Sequence, residues 1–310
     1  MDEALSFLED EGLSPGLLRD LKTFRAAHPA PVAFVSRIPA PRYRYYGRRV
    51  WEQALTALLC GENLLLSGGK ATGKNVLAEN LAMVFGRPAW NVSLHVNTDA
   101  YGLMGTDTLR GGEVSFRPGP VWLCAAHGGF CILDEVNMAR NEALAVLHAA
   151  LDHRRALDVP GYERLPLCEE TRFIGTMNYG YAGTRELNEA LTSRFAVLHM
   201  PTISAENLTL LLRREFPTLR PRAVEILTSL FFDLEKKCAN AEITSRALDL
   251  RGLLDAVDMM RHGLSPDAAL AMGLTNKTFD AYERTLVEDV IRARIGAGTK
   301  PEGLFSDGAV

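Results

Sequence analysis

Apolar positions along the chain fall into two regimes. Between residues 63 and 199, short apolar runs at 63–66, 89–96, 130–133, 172–177 and 196–199 read as strands, while helical spacing of apolar positions marks 50–60 and 74–85. Such alternation predicts a parallel five-stranded sheet with helices on both faces. Two short extended runs around Gly111-Gly112, spanning 106–116, predict a β-hairpin inserted between the second and third strands. From Ser204 onward the strand signals stop, and helical periodicity predicts helices at 204–214, 220–236, 245–262, 266–272 and 278–294. Ahead of the sheet, Ser14-Pro15 has the cap-then-proline form of a helix start, followed by a proline-rich stretch from His28 to Pro41.

The expected organisation is therefore an N-terminal helix and linker over 1–42, an α/β core over 43–202, an all-helical domain over 203–295, and a mobile Gly-rich polar tail over 296–310. At 310 residues, 47% hydrophobic and 23% charged, the chain has the composition of a globular protein with a sizeable core. A net charge of −4 offers no global attraction to nucleic acid or an anionic membrane, so contact with either needs a local patch. No apolar run is long enough to span a bilayer, and the acidic start Met1-Asp2-Glu3 is unlike a secretory signal, so a cytoplasmic protein without membrane insertion is expected. The five cysteines (Cys60, Cys124, Cys131, Cys168, Cys238) form no C-x-x-C pair and are expected as reduced core thiols; His148 and His153 lack the i, i+4 spacing of a helical metal site.

Candidate chemistry concentrates where the first strand meets its helix. Gly68-Gly69-Lys70-Ala71-Thr72-Gly73-Lys74-Asn75 is a G-x-x-x-x-G-K loop, whose backbone N–H groups cradle phosphates while Lys74 reaches the terminal ones. Asn75 stands where Ser or Thr normally puts a hydroxyl on Mg²⁺, and Ala71 where glycine is frequent. The partner element is Phe130-Cys131-Ile132-Leu133-Asp134-Glu135, an apolar strand delivering two carboxylates to the C-terminal edge of the sheet. Asp134 would hold Mg²⁺ and Glu135 would polarise the attacking water. Together the two elements specify a P-loop NTPase core that takes ATP and Mg²⁺.

The order of the remaining motifs resembles the AAA+ ATPases. Gly175-Thr176-Met177-Asn178 is similar to the strand that ends in sensor 1, which would give Asn178 a share in positioning the water. Leu191-Thr192-Ser193-Arg194-Phe195 resembles the arginine-finger segment, with Arg185 as the competing candidate. Thr244-Ser245-Arg246-Ala247-Leu248 resembles sensor 2, with Thr244 or Ser245 capping a helix and Arg246 in its first turn reaching back from a helical lid to the nucleotide. Within the superfamily the chain is most similar to the MoxR family of the midasin and dynein-related branch. The residues that carry this are Asn97-Thr98-Asp99-Ala100-Tyr101-Gly102-Leu103-Met104-Gly105, Phe116-Arg117-Pro118-Gly119-Pro120 and Leu133-Asp134-Glu135-Val136-Asn137, over roughly 45–262.

That resemblance implies a homo-oligomeric, hexameric ring that hydrolyses ATP to remodel or activate a client, acting with a von Willebrand factor A domain protein. It also places Tyr46 and Gly47 against the adenine. The surrounding run from Arg42 to Arg49 leaves two other uses open, a subunit contact for its arginines and single-stranded nucleic acid bound through phosphates and stacking. Two further readings of the whole chain share the nucleotide site: a slow nucleotide-binding switch or scaffold, motivated by Asn75, and a DNA-directed motor subunit.

Overall fold

The computed structural model describes residues 3–159, 161–179, 187–296 and 298–306, and of Arg110 the backbone alone. The chain divides into two compact units. One comprises residues up to Gly69 together with Gly73–Pro201, and the second comprises Lys70–Thr72 and the residues from Thr202 onward.

In the first unit the N-terminal segment is packed rather than a free arm. Helix α1 (Glu3–Asp10) precedes the expected helix α2 (Pro15–Ala27), whose start is set by Ser14 accepting from the Leu17 N–H. Phe7, Leu8, Leu18 and Leu21 are buried, and Phe7 meets Tyr46 and Trp51 edge to face at 5.5 and 6.3 Å. Arg87, fully buried, ties the far end of this segment down by donating to the carbonyls of His28 (2.7 Å) and Pro29 (2.8 Å) while pairing with Glu170 at 3.0 Å. A guanidinium carries five donors in a planar fork, so one buried side chain can secure several carbonyls. The linker expected over the proline-rich stretch is thus anchored, with a 3₁₀ turn at Val32–Arg37.

The core then follows the alternating pattern. After α3 (Arg48–Leu59) come β1 (Leu64–Gly68), α4 (Lys74–Val84), β2 (Ala89–Ser93) and α5 (Ala100–Met104). Strands β3 (Gly105–Arg110) and β4 (Glu113–Pro118) form the antiparallel hairpin, with Leu109 opposite Val114. Next are α6 (Pro120–His127), β5 (Phe130–Asp134), short helices α7 (Asn141–Leu144) and α8 (His148–Leu151), and a small ribbon of β6 (Ala156–Leu157) with β7 (Leu165–Pro166). β8 (Arg172–Asn178), α9 (Glu189–Thr192) and β9 (Ala196–His199) complete the unit. The five-stranded sheet is parallel throughout, in the order β2-β5-β8-β1-β9. β1 is buried along its whole length and β5 at all but its last residue, as parallel strands covered on both faces must be. Of the five cysteines only Cys124 and Cys131 are buried; Cys60, expected in the core, is exposed because it caps the C-terminal end of α3.

The second unit is helical: α10 (Ala205–Glu215), α11 (Pro221–Ala239), α12 (Leu250–Arg261), α13 (Pro266–Gly273) and α14 (Ala281–Arg294). Side-chain caps set several starts, Ser204 on Asn207 N–H, Ser265 on Ala268 N–H and Asp280 on Glu283 N–H. Helix α12 begins five residues later than its periodicity predicts. Asp249 is its cap, accepting from Arg251 N–H, and Lys277 donates to the same carboxylate. Residues 298–306 are not a mobile tail: Phe305 is fully buried, bridges Leu219 and accepts from Arg220 Nε at 2.6 Å, an apolar anchor that the Gly-rich composition masks.

Candidate active site

Because all five strands run the same way, the C-terminal ends of β1, β5 and β8 open on one edge of the sheet. The register brings Gly68 level with Asn178, and Leu133 level with Gly175. This edge gathers Gly68, the acidic pair and Asn178, residues drawn from positions 68 to 178 of the sequence.

The loop closes through two left-handed residues. Gly73 (φ +78°) caps α4, and a Cβ there would stand 3.1 Å from the ring of Tyr45. Ala71 also has positive φ, at 61°, where a side chain is disfavoured. Lys74 opens α4 and folds back on the loop, its Nζ donating to Gly68 O (3.1 Å) and Gly69 O (2.6 Å). Burial lowers its pKa to about 8, with Asp134 and Glu135 opposing that shift. The ammonium therefore sits where a polyphosphate would both offset the cost of its burial and take over its hydrogen bonds.

Asp134 and Glu135 diverge at the end of β5. Glu135 adopts a left-handed conformation (φ 57°, ψ 49°), a strained backbone that ends the extended run of β5. Thr176, almost wholly buried on β8, locks this corner: its hydroxyl donates to Asp134 Oδ1 and accepts from the Glu135 N–H at 3.1 Å. Asn178 reaches Glu135 Oε1 with its side-chain amide at 3.4 Å, and its backbone carbonyl accepts from Asn137 Nδ2 at 2.6 Å. Thr176 and Asn137 were not singled out by the motif reading, yet the period-two alternation of a strand already puts Thr176 on the same face as Asn178.

Asn75 lies beside Asp134 and donates Nδ2 to its Oδ2 at 2.9 Å. A carboxylate has about four lone-pair sites; two are used here, by Thr176 and Asn75, so Asp134 keeps capacity for a hard cation. The Asn75 amide oxygen is a second suitable donor once the amide turns about its terminal bond. An all-oxygen set of this kind fits Mg²⁺, which prefers a few carboxylate or carbonyl ligands alongside phosphate oxygens and water.

Other expected site residues have partners of their own. Tyr46 and Gly47, given to adenine by resemblance, are engaged by the N-terminal segment: the Tyr46 ring stands edge to face on Phe7, and the Gly47 N–H donates to Glu11 Oε2 at 2.9 Å. Tyr45 is the aromatic residue that touches the phosphate loop, and burial first, then Glu11, raises its pKa. Arg246 lies in a turn ahead of α12 rather than in its first turn, with its guanidinium 5.6 Å above the ring centroid of Phe279. Arg185 falls outside the described residues.

Arg194 occupies the opposite end of the sheet. Ala196 of β9 pairs with Leu64 at the start of β1, so at about 3.3 Å per residue the end of β1 is ~13 Å further along, and Arg194 precedes Ala196 by two more positions. Its side chain turns to the Ala190 carbonyl and towards Asp152 Oδ2 at 3.5 Å. It does not complete the phosphate-facing cluster of its own chain.

Comparison with known proteins gives the family. The family described as AAA domain (dynein-related subfamily) matches residues 63–195, from the start of β1 to the threshold of β9. Along nearly the full length, the chain is 30% identical over 268 residues to the uncharacterized protein YojN of Bacillus subtilis strain 168, covering 84% of this chain and 88% of that protein. It is 28% identical over 255 residues to the uncharacterized protein SAB1265c of Staphylococcus aureus strain bovine RF122 / ET3-1, covering 80% of this chain and 97% of that protein. Among the described residues no helix is long and apolar enough to cross a membrane. With its phosphate loop, acidic strand end and five-stranded parallel sheet, the chain belongs to the AAA ATPases of the dynein-related subfamily.

Proposed function

We propose that the protein is a MoxR-like, Mg²⁺-dependent ATPase of the cytoplasm that works as a homo-oligomeric ring, most simply a hexamer, and spends ATP hydrolysis on remodelling or activating a client protein with a von Willebrand factor A domain partner. Family membership supports ATP with Mg²⁺ as the ligand and an oligomeric state. The observation that carries the ring reading is the division of labour along the sheet: Lys74, Asn75, Asp134, Glu135 and Asn178 share one edge, while Arg194 stands at the other. An arginine so placed serves a second copy's nucleotide.

In this reading Lys74 exchanges the loop carbonyls for the β- and γ-phosphates, and Glu135, aimed by Asn178, orients the attacking water and accepts its proton. Asp134 and Asn75 would hold Mg²⁺, which supplies charge neutralisation on the phosphates. Arg194 of the adjacent copy stabilises the charge that develops on the transferred phosphoryl group. The resemblance gives Arg246 a nucleotide contact as well. The test is phosphate release by purified protein across a concentration series: turnover rising cooperatively with protein concentration and absent in Lys74→Ala supports the reading, and no release above that control refutes it.

The Asn75–Asp134 hydrogen bond favours one alternative, a nucleotide-dependent switch that turns over slowly. An amide nitrogen on Asp134 competes with metal for the same oxygen. If this contact throttles turnover, Asn75→Ser will lower the Mg²⁺ concentration needed for half-maximal hydrolysis by roughly 3- to 10-fold. If Asn75 is a working ligand, the same change will leave that concentration unaltered.

A further inference from the structure

At the end of the sheet remote from the phosphate loop, Arg194 belongs to a cluster that the AAA motifs do not describe. Helix α8 ends at Leu151 with Asp152 as its C-cap, and the turn that follows carries His153, Arg154 and Arg155. Arg154 grips the Asp152 carboxylate with Nε at 3.0 and 3.2 Å from its two oxygens and Nη2 at 2.7 Å, and its backbone N–H adds a fourth contact at 3.0 Å. Planar, multidentate pairing of this kind fixes geometry as well as charge. The turn itself is over-determined. Arg155 sits at φ 40°, and its Nη2 is held by the carbonyls of Cys168, Glu169 and Thr171 at 3.0, 3.1 and 3.2 Å. Backbone strain of this sort persists only where its surroundings enforce it.

Arg194 is held quite differently. Its Nη2 stands 3.5 Å from Asp152 Oδ2, longer than a well-formed charged hydrogen bond, and its Nε is buried without an acceptor among the described residues. An arginine kept for structure alone has its fork filled, since a buried donor left unmade is costly. Here the carboxylate is saturated by Arg154, and Arg194, whose Nη1 donates to the Ala190 carbonyl, is steered by the charge of Asp152 without being consumed by it. His148, on α8, faces the same guanidinium; burial first and then Arg194 lower its pKa, so it adds no competing positive charge near neutrality.

We propose that Asp152, clamped by Arg154, is a positioning residue that aims Arg194 at the nucleotide of a second copy of this chain. The assignment rests on the ring reading above. Without the carboxylate, Arg154 and Arg194 are two cations with no anion between them, and Arg194 loses its direction while its own chain's phosphate site stays intact.

Mixing experiments separate the two ends. Glu135→Gln supplies a normal Arg194 but a dead site; Arg194→Ala supplies a live site but no arginine. Mixed before assembly, these two should hydrolyse ATP about tenfold faster than either alone. Asp152→Asn should turn over at least about tenfold more slowly than wild type, bind a fluorescent ATP analogue within about twofold of wild type, regain activity when mixed with Glu135→Gln, and fail to regain it with Arg194→Ala. Arg154→Ala, at a half-exposed side chain, should show the same pattern more weakly and keeps the test decisive if Asp152→Asn does not fold. Wild-type turnover by both variants, rescue by Arg194→Ala, or failure to be rescued by either partner overturns the assignment. Absence of rescue between Glu135→Gln and Arg194→Ala overturns the ring reading itself, and the assignment with it.

Discussion

The two ends of the central sheet are built to different rules. At the phosphate-facing end every candidate catalytic group is held by another: Lys74 by two loop carbonyls, Asp134 by Thr176 and Asn75, Glu135 by Asn178, and Asn178 by Asn137. At the opposite end the fixed object is Asp152, and the arginine beside it is left partly unsatisfied. A site that reacts within its own chain gains from groups placed in advance, because they need no reorganisation when charge develops. On the proposed ring reading Arg194 serves another chain, and such a group must keep donors in hand for a phosphate it has not yet met.

The largest effect should break this symmetry of importance by dilution. Glu135→Gln and Arg194→Ala are both expected to lose about 100-fold in turnover at assembling concentrations. Below the assembly concentration, where only the residual single-chain rate remains, Glu135→Gln should still be impaired while Arg194→Ala equals wild type. Phosphate release measured on either side of the sedimentation-defined assembly threshold checks this, and an Arg194→Ala defect that persists in dispersed protein would place the arginine in its own chain's site.

Next in size is Thr176→Val, which keeps the side chain's shape and deletes the hydroxyl linking Asp134 to the Glu135 N–H. Two part-buried polar groups lose their partner, so the change should cost about 1 kcal/mol in stability by denaturant melt. Released from that hydroxyl, the strained backbone at Glu135 is free to relax, and turnover should fall roughly 10- to 100-fold with nucleotide affinity little changed.

The contrast between the ends also separates what a sequence makes legible. The phosphate-facing residues belong to contiguous motifs, a glycine loop after an apolar run and a carboxylate pair after another, because local backbone geometry makes that chemistry. Alternating apolar runs fix five strands for the same reason. Thr176 and Asn137 act through contacts across 42 and 41 positions, and Asp152 meets Arg194 only once α8 and α9 are folded. Nor does spacing reveal that Glu11 takes the Gly47 N–H, or that Phe305 anchors a stretch whose glycines suggest mobility. Helix α12 begins late because Asp249, paired with Lys277 of another segment, makes the stronger cap.

A smaller effect follows from the charge state of Lys74. Burial holds its pKa near 8, against 10.5 for an unperturbed lysine. The unfolded chain therefore keeps more protons between those two values, and stability contributed through Lys74 rises as pH climbs from about 8 towards 10.5. Nucleotide binding should run the other way: loss of the ammonium removes the cation that phosphate needs, so ATP affinity should fall several-fold between pH 7.5 and 9. Equilibrium titration of an ATP analogue at several pH values measures this, and Lys74→Arg, which stays charged, should flatten the profile.

The smallest expected change tests whether the phosphate-facing end carries strain that it does not use. Ala71 and Glu135 both hold left-handed backbone there, but only Glu135 has a reason on its side chain. A Cβ in that conformation costs about 1–2 kcal/mol, while glycine gives back roughly 0.5–1 kcal/mol through its freer unfolded chain. Ala71→Gly should therefore stabilise the protein by up to about 1 kcal/mol in a thermal melt, and leave ATP affinity within about twofold. If the melt is unchanged but affinity falls, the left-handed alanine is instead holding the loop open for phosphate, and preorganisation at this end extends beyond the side chains to the backbone of the loop itself.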